Sequence, residues 1–285
     1  MNTLPSYVVA LFLISLVQFS SIDTARAQEP QPFADIQRIL DAGVLRVAVL
    51  AKDAPPMIMT DPQDGLTGSE PDLARDMAQK LGVDVVFVRR ADTYDGVVDM
   101  IARKEADIAV SYLTGGVQRA LYVLFSQPYI QQSGRLFFNR AQFAQLRRDY
   151  GIDNLTTLNT LPPAAKVVVG VESGSVYQTI LKRDLPGVKV KAFDDLPEIV
   201  NAVKDGAIFA GIHGSLQTHY FIRSHPATAI YVAVDSDVRL PSDIRIAVRS
   251  DSPNLLRWID IYLSNHVGML SHAEILDSYL ADRQK

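Results

Sequence analysis

The 285-residue chain contains no cysteine, which excludes disulfides, thiol catalysis, thiolate-held metals and lipid attachment through a lipobox thiol. Long runs of one charge are also missing. Basic residues cluster no further than the pairs Arg89-Arg90 and Arg147-Arg148, too short to track a phosphate backbone, so nucleic acid is not expected as a partner. No G-x-S-x-G, P-loop or H-E-x-x-H signature occurs. His213, His219 and His225 are spaced by six, which spreads them around a helix rather than gathering them on one metal-binding face, and no cofactor or metal is expected. What is present is globular material. An apolar share of 48% against 21% charged residues can bury enough surface to offset the entropy of ordering.

Near the start, Tyr7 to Val17 is apolar and too short to cross a bilayer comfortably, and Ala25-Arg26-Ala27 follows in the small-x-small pattern of a signal peptidase site. Residues 1–27 are therefore expected to be a cleaved signal peptide, with Gln28 the mature start. No later window is apolar for about 18 residues, so a free periplasmic protein is expected.

Beyond an extended linker from Gln28 to Pro32, short apolar runs alternate with helix-period segments, the pattern of parallel sheets covered by helices. The first series predicts strand Val44 to Leu50, helix Pro71 to Leu81, strand Val83 to Val88, helix Gly96 to Lys104 and strand Asp107 to Ser111. Ser69 is placed to cap the first of these helices, and Gly82 to end it. A second series repeats the plan: strand Lys166 to Val171, helix Tyr177 to Asp184, strand Val188 to Phe193, helix Leu196 to Asp205, strand Ile208 to Ile212. Between them lie a strand-like Arg135 to Asn139 and a polar, proline-bearing loop from Gly151 to Pro163. Strand-like Ile230 to Val234 and Asp243 to Val248 follow, then helical stretches Pro253 to Asn265 and Ser271 to Leu280. Two similar α/β units predict two lobes with a ligand cleft between them.

The landmarks also carry a family resemblance. Gly43-Val44-Leu45-Arg46-Val47-Ala48-Val49, Ala54-Pro55-Pro56-Met57, Gly65-Leu66-Thr67-Gly68, Asp72-Leu73-Ala74 and Leu81-Gly82-Val83 follow in order. Ser111-Tyr112-Leu113-Thr114, Gln118-Arg119-Ala120, Phe125-Ser126-Gln127-Pro128-Tyr129 and Gly170-Val171-Glu172-Ser173-Gly174-Ser175 come next. The series resembles periplasmic solute-binding proteins of family 3, the amino-acid-binding type of ABC transporters. The resemblance implies a two-lobed class II periplasmic-binding-protein fold, each lobe a mostly parallel sheet flanked by helices. Lobe 1 would comprise residues 33–131 plus 242–285, and lobe 2 residues 132–241. It further implies hinge closure around a small solute and delivery to an ABC permease, as a monomer.

Site residues follow from the same resemblance. Arg119 matches the family's carboxylate-binding arginine, whose planar fork suits a carboxylate. Thr114 matches the threonine that assists it. Gly174 and Ser175 occupy the second-lobe loop whose amides face an anion at a helix start, and Tyr94 stands where an aromatic lies against the ligand. Glu172 and His213 take ligand-facing polar positions. Departures are equally informative: Gly214 replaces the aspartate that pairs with an α-amino group, Ala54 replaces a ring, and Tyr112 stands where glycine often lets the ligand approach. The expectation is a small carboxylate that lacks a free α-amino group. Two other readings remain, a soluble accessory or sensory binding protein and an enzyme resembling cyclohexadienyl dehydratase. For the latter, the position of the general acid carries Tyr177.

Overall fold

Strand β1 (Val44–Ala48) forms where valine and leucine alternate with residues that face outward, and it becomes the second strand of a five-stranded sheet. In this computed structural model, residues 30–63, 65–155, 162 and 165–281 are described. The expected signal peptide lies outside them, as do residues 156–161 and 163 of the polar loop. Every element below belongs to one unit, Pro32–Lys285.

Strands β2 (Met59–Asp61) and β3 (Gly65–Thr67) pair only with each other, and the first sheet has the order β4-β1-β5-β12-β6, with β4 Asp84–Val88, β5 Ile108–Ala109, β12 Ala247–Arg249 and β6 Val123–Phe125. The second, read as β9-β8-β10-β7-β11, repeats it with β9 Lys189–Phe193, β8 Val168–Glu172, β10 Ala210–Gly214, β7 Ser133–Asn139 and β11 Val232–Pro241. In both, the three strands at one end run parallel and the fourth runs against its two neighbours. The repeated plan seen in the sequence is thus a repeated topology, with one sheet to each lobe.

Helices α1 (Ala34–Ala42), α2 (Ser69–Leu81), α3 (Tyr94–Ala102), α8 (Pro253–Tyr262) and α9 (His272–Ala281) pack around the first sheet. Its core includes Leu45, Val47, Met77, Ile101, Ile246 and Ile259. Around the second sheet lie α4 (Arg140–Tyr150), α5 (Tyr177–Asp184), α6 (Leu196–Lys204) and α7 (Ser215–Ser224). Adjacent residues of β7 serve opposite faces there: Leu136 joins Leu181 and Ile212, whereas Phe137 joins Ile199 and Val203. Burying both faces explains why these strands read as nearly continuous apolar runs.

Two details differ from the sequence reading. Ser69 lies inside α2 and bonds Met57 Sδ at 3.6 Å; the cap position is Gly68, at φ 111, where a Cβ would sit 2.5 Å from the Met57 carbonyl oxygen. Helices α1, α4 and α7 are additional to the expected elements. The chain crosses between the sheets twice, and the crossings pair, with Ile244 N donating to Ile130 O at 2.9 Å and Ser242 N to Gln132 O at 3.2 Å.

Candidate functional site

The carboxyl ends of parallel strands in both sheets converge on one seam, the general position for ligands in open α/β sheets. From the first sheet come Lys52 and Asp53 after β1, Tyr94 after β4, and Tyr112 and Thr114 after β5. From the second come Glu172 at the end of β8, Asp194 after β9, and His213 and Gly214 at the end of β10.

Arg119 is buried in this seam, at 8% exposure. Its Nη1 donates to the Thr114 carbonyl at 2.9 Å and its Nη2 to the Gly174 carbonyl, in the other lobe, at 3.0 Å. Nε and Nη2 both reach Asp95 Oδ1, at 2.9 and 2.8 Å. The same Gly174 carbonyl accepts the Asp95 amide at 3.2 Å. This approach demands glycine twice over, since φ is 67 and a Cβ would stand 2.8 Å from Thr93 Cβ. Gly174 therefore contributes a carbonyl that clasps the lobes. Ser175 spends its amide on the Glu172 carbonyl at 3.2 Å, and Val176 occupies the cap position of α5. The Ser175 hydroxyl, buried and without a partner, is its free polar group. The Thr114 hydroxyl donates to Ser242 O at 3.2 Å on the crossover segment, so Thr114 meets Arg119 through its backbone.

Three tyrosines fill the space beside Arg119. Tyr94, Tyr112 and Tyr177 line a remnant of about 20 Å³, enough for a single water. Burial, with nearby Glu172 adding to it, pushes the Tyr94 hydroxyl well above its ordinary value, and burial does the same for Tyr112 and Tyr177. All three remain neutral. Tyr112 adopts φ 52, a left-handed conformation costing a non-glycine residue about 1–2 kcal/mol. Its hydroxyl bonds Gln132 Oε1, and its amide donates to Glu70 Oε2 at 2.6 Å. Sequence reasoning missed Glu70. This fully buried carboxylate also accepts the Tyr129 hydroxyl at 2.5 Å; burial, only partly offset by these bonds, raises its pKa to about 7.

Glu172 and His213 are brought together, both buried, with Nε2 of the ring 2.8 Å from Glu172 Oε2. Lys52, from the first lobe, places Nζ 3.3 Å from Glu172 Oε1 and also donates to the Asp194 carbonyl. Lys52 was not singled out in the sequence; a lone lysine after a strand carries no signal of what faces it. Gly214 faces Gln132 and Tyr112, with a Cβ there falling 3.0 Å from Gln132 Oε1 and 3.2 Å from Tyr112 Oη. Tyr177 bonds Ser242 Oγ at 3.0 Å. A larger cavity of about 330 Å³ lies near α4 and β8, but none of the unpartnered buried polar atoms among the described residues lines it.

A two-lobed α/β protein with polar groups converging at strand ends on a closed seam is built to hold a small molecule. The description of bacterial extracellular solute-binding proteins, family 3, matches residues 45–282, and the chain belongs to that family. It is 23% identical over 231 residues to the L-cystine-binding protein TcyJ of Escherichia coli (strain K12), spanning 80% of each protein. It is 29% identical over 236 residues to membrane-bound lytic murein transglycosylase F of Idiomarina loihiensis, covering 82% of this chain and 49% of that one. Among solved structures, the ancestral amino acid-binding protein AncCDT-1, a precursor of cyclohexadienyl dehydratase, superposes with a TM-score of 0.67 at 25% identity, over 86% of this chain and 98% of that one. The family consists mainly of binding proteins, with enzymes on some branches.

Proposed function

We propose that this protein captures a small carboxylate-bearing solute between two hinged lobes in the periplasm and passes it to an ABC permease. The carrying observation is Arg119, a buried guanidinium whose one charged partner among the described residues, Asp95, is 60% exposed along its side chain. Exchanging such a partner costs little, because solvent already screens it. A ligand carboxylate takes the place of Asp95 while the Thr114 and Gly174 carbonyls hold the fork in position. Since Gly174 belongs to the second lobe, binding and closure are coupled through one side chain. Entry requires the lobes to part, about hinges near residues 131–132 and 241–242 that bound lobe 1 (33–131 plus 242–285) and lobe 2 (132–241). The chain acts as a monomer after removal of residues 1–27. It binds without catalysis: Tyr177 is neutral and committed to Ser242, leaving no acid at the position that a dehydratase of this family would use.

Calorimetry on matched pairs tests the reading, a 2-oxo acid against the amino acid of equal carbon skeleton. The oxo acid is expected to bind better, with Arg119→Ala abolishing binding and Arg119→Lys restoring part of it. Tight binding of the amino acid with the oxo acid silent would refute it.

A further inference from the structure

Past His213 and Gln217, which line both spaces, the cleft widens into a chamber of about 210 Å³ between the loop after β1 and helix α7. Three buried polar atoms of its lining residues have no partner: His213 Nδ1, Gln217 Oε1 and the Tyr220 hydroxyl. Their chemistry is constrained. A carboxylate only accepts, so His213 Nε2 carries a proton towards Glu172, and in the tautomer with that single ring proton Nδ1 is an acceptor. Gln217 directs its Nε2 to the Ala54 carbonyl at 3.4 Å, which leaves Oε1 as an acceptor too. These two atoms call for donors, while the Tyr220 hydroxyl can donate or accept.

Glu172 adds negative charge to the same wall, and Lys52 is its cation. Of that pair Lys52 is the solvent-facing member, 27% exposed along its side chain against 5%. An incoming ammonium can replace it at Glu172 with no change in charge balance, and Lys52 then turns to water. Pro55, Leu196, Pro197 and Phe221 give the chamber apolar walls, and Asp53, Asp195, Ser224 and His225 also belong to its lining. At the Arg119 end, Gly214 offers no carboxylate to an α-amino group.

We infer that the ligand is an ω-amino acid: a carboxylate for Arg119, no α-amino group, a short apolar stem, and a terminal ammonium on Glu172 that meets the unpartnered acceptors. The assignment rests on the carboxylate reading of Arg119 and adds the identity of the other end.

The test is isothermal titration of the purified protein with pentanoate, 5-aminopentanoate, 2-aminopentanoate, glutarate and pentylamine, with the four- and six-carbon ω-amino acids alongside. At least one ω-amino acid is expected to bind about tenfold or more tighter than pentanoate, glutarate or 2-aminopentanoate. Glu172→Gln should erase that advantage over pentanoate. Tyr220→Phe, which removes a hydroxyl that bonds nothing in the fold, should weaken the ω-amino acid severalfold without altering the melting curve, so the outcome does not depend on Glu172→Gln folding. Pentanoate or glutarate binding as tightly as every ω-amino acid would overturn the assignment and leave the carboxylate reading standing. Pentylamine binding as tightly as 5-aminopentanoate, undiminished in Arg119→Ala, would overturn the carboxylate reading and the assignment with it. Silence from all the ω-amino acids overturns the assignment as well.

Discussion

The amide of Tyr112 donates to Glu70 Oε2 at 2.6 Å, and this bond holds a left-handed tyrosine in the mouth of the ligand cleft. Glu70 is therefore a positioning residue whose protonation matters. Its pKa of about 7 in the folded protein lies above the ordinary 4.5, so the native state holds a proton that the unfolded chain releases. Its contribution to stability is greatest below pH 4.5 and falls as pH rises to about 7, a loss of about 3 kcal/mol across that window. Glu70→Gln should remove this slope. Melting curves are expected to match the parent near pH 5 and to show a more stable variant near pH 8.

On the proposed reading, Asp95 competes with a ligand carboxylate for Arg119. Asp95→Asn should tighten carboxylate binding about threefold, the equivalent of ~0.7 kcal/mol for an exposed ion pair, as read by calorimetry. An unchanged affinity would mean that Arg119 never releases Asp95.

On the proposed reading, Gly214 and Tyr112 together exclude an α-amino group, one by lacking a carboxylate and the other by occupying the space. Gly214→Asp alone should destabilise the protein by about 1–3 kcal/mol, because its Cβ crowds Gln132 and Tyr112. Adding Tyr112→Gly removes the phenol and gives φ 52 to the residue that tolerates it best. The double variant is expected to bind 2-aminopentanoate at least about tenfold tighter than the parent, measured by titration.

Asp107 ties α1 to the first sheet. It accepts Arg38 Nη1 at 2.6 Å and Arg46 Nη2 at 3.0 Å, and is itself almost fully buried. Burial pushes its carboxyl up, but the hydrogen bonds from Arg46 and Arg38 outweigh that and hold it below the usual range. Asp107→Ala should cost about 2 kcal/mol in chemical denaturation, below the 3–5 of a fully buried pair because Arg38 and Arg46 are partly exposed and the buried Arg249, 3.6 Å away, keeps Asp251 as a partner. A lowered carboxylate stabilises above its unfolded pKa of 3.8, and this part is lost as pH falls further. Asp107→Asn should accordingly flatten the acid limb of the stability profile.

Periodicity alone placed β1, β4, β8 and β9 within about two residues: the inner strands β1 and β8 show as short, largely buried runs, and the edge strands β4 and β9 as an alternation of exposed and half-buried residues. Helix α5 came out residue for residue, bounded by the Gly174 loop and Asp184. Helix α7 was missed: Leu216, Tyr220, Phe221 and Ile222 make no clean stripe, because this helix lines the cleft with Gln217 and Tyr220 as well as packing on its own sheet. The same double duty hid the N-terminus of α2, where the tertiary approach of Gly68 to Met57 overrode the capping preference of Ser69.

The sequence by itself determined two repeated α/β units and, through the order of its motifs, the family, because each is encoded in local order and spacing. Only the tertiary structure decided what the residues of the seam face. Asp95 lies 24 positions from Arg119, Glu172 lies 41 from His213, and Lys52 reaches Glu172 from the other lobe. No local pattern links such pairs. Their charges meet because parallel strands in both sheets deliver their carboxyl ends to one seam, and burial there makes each unpaired group count.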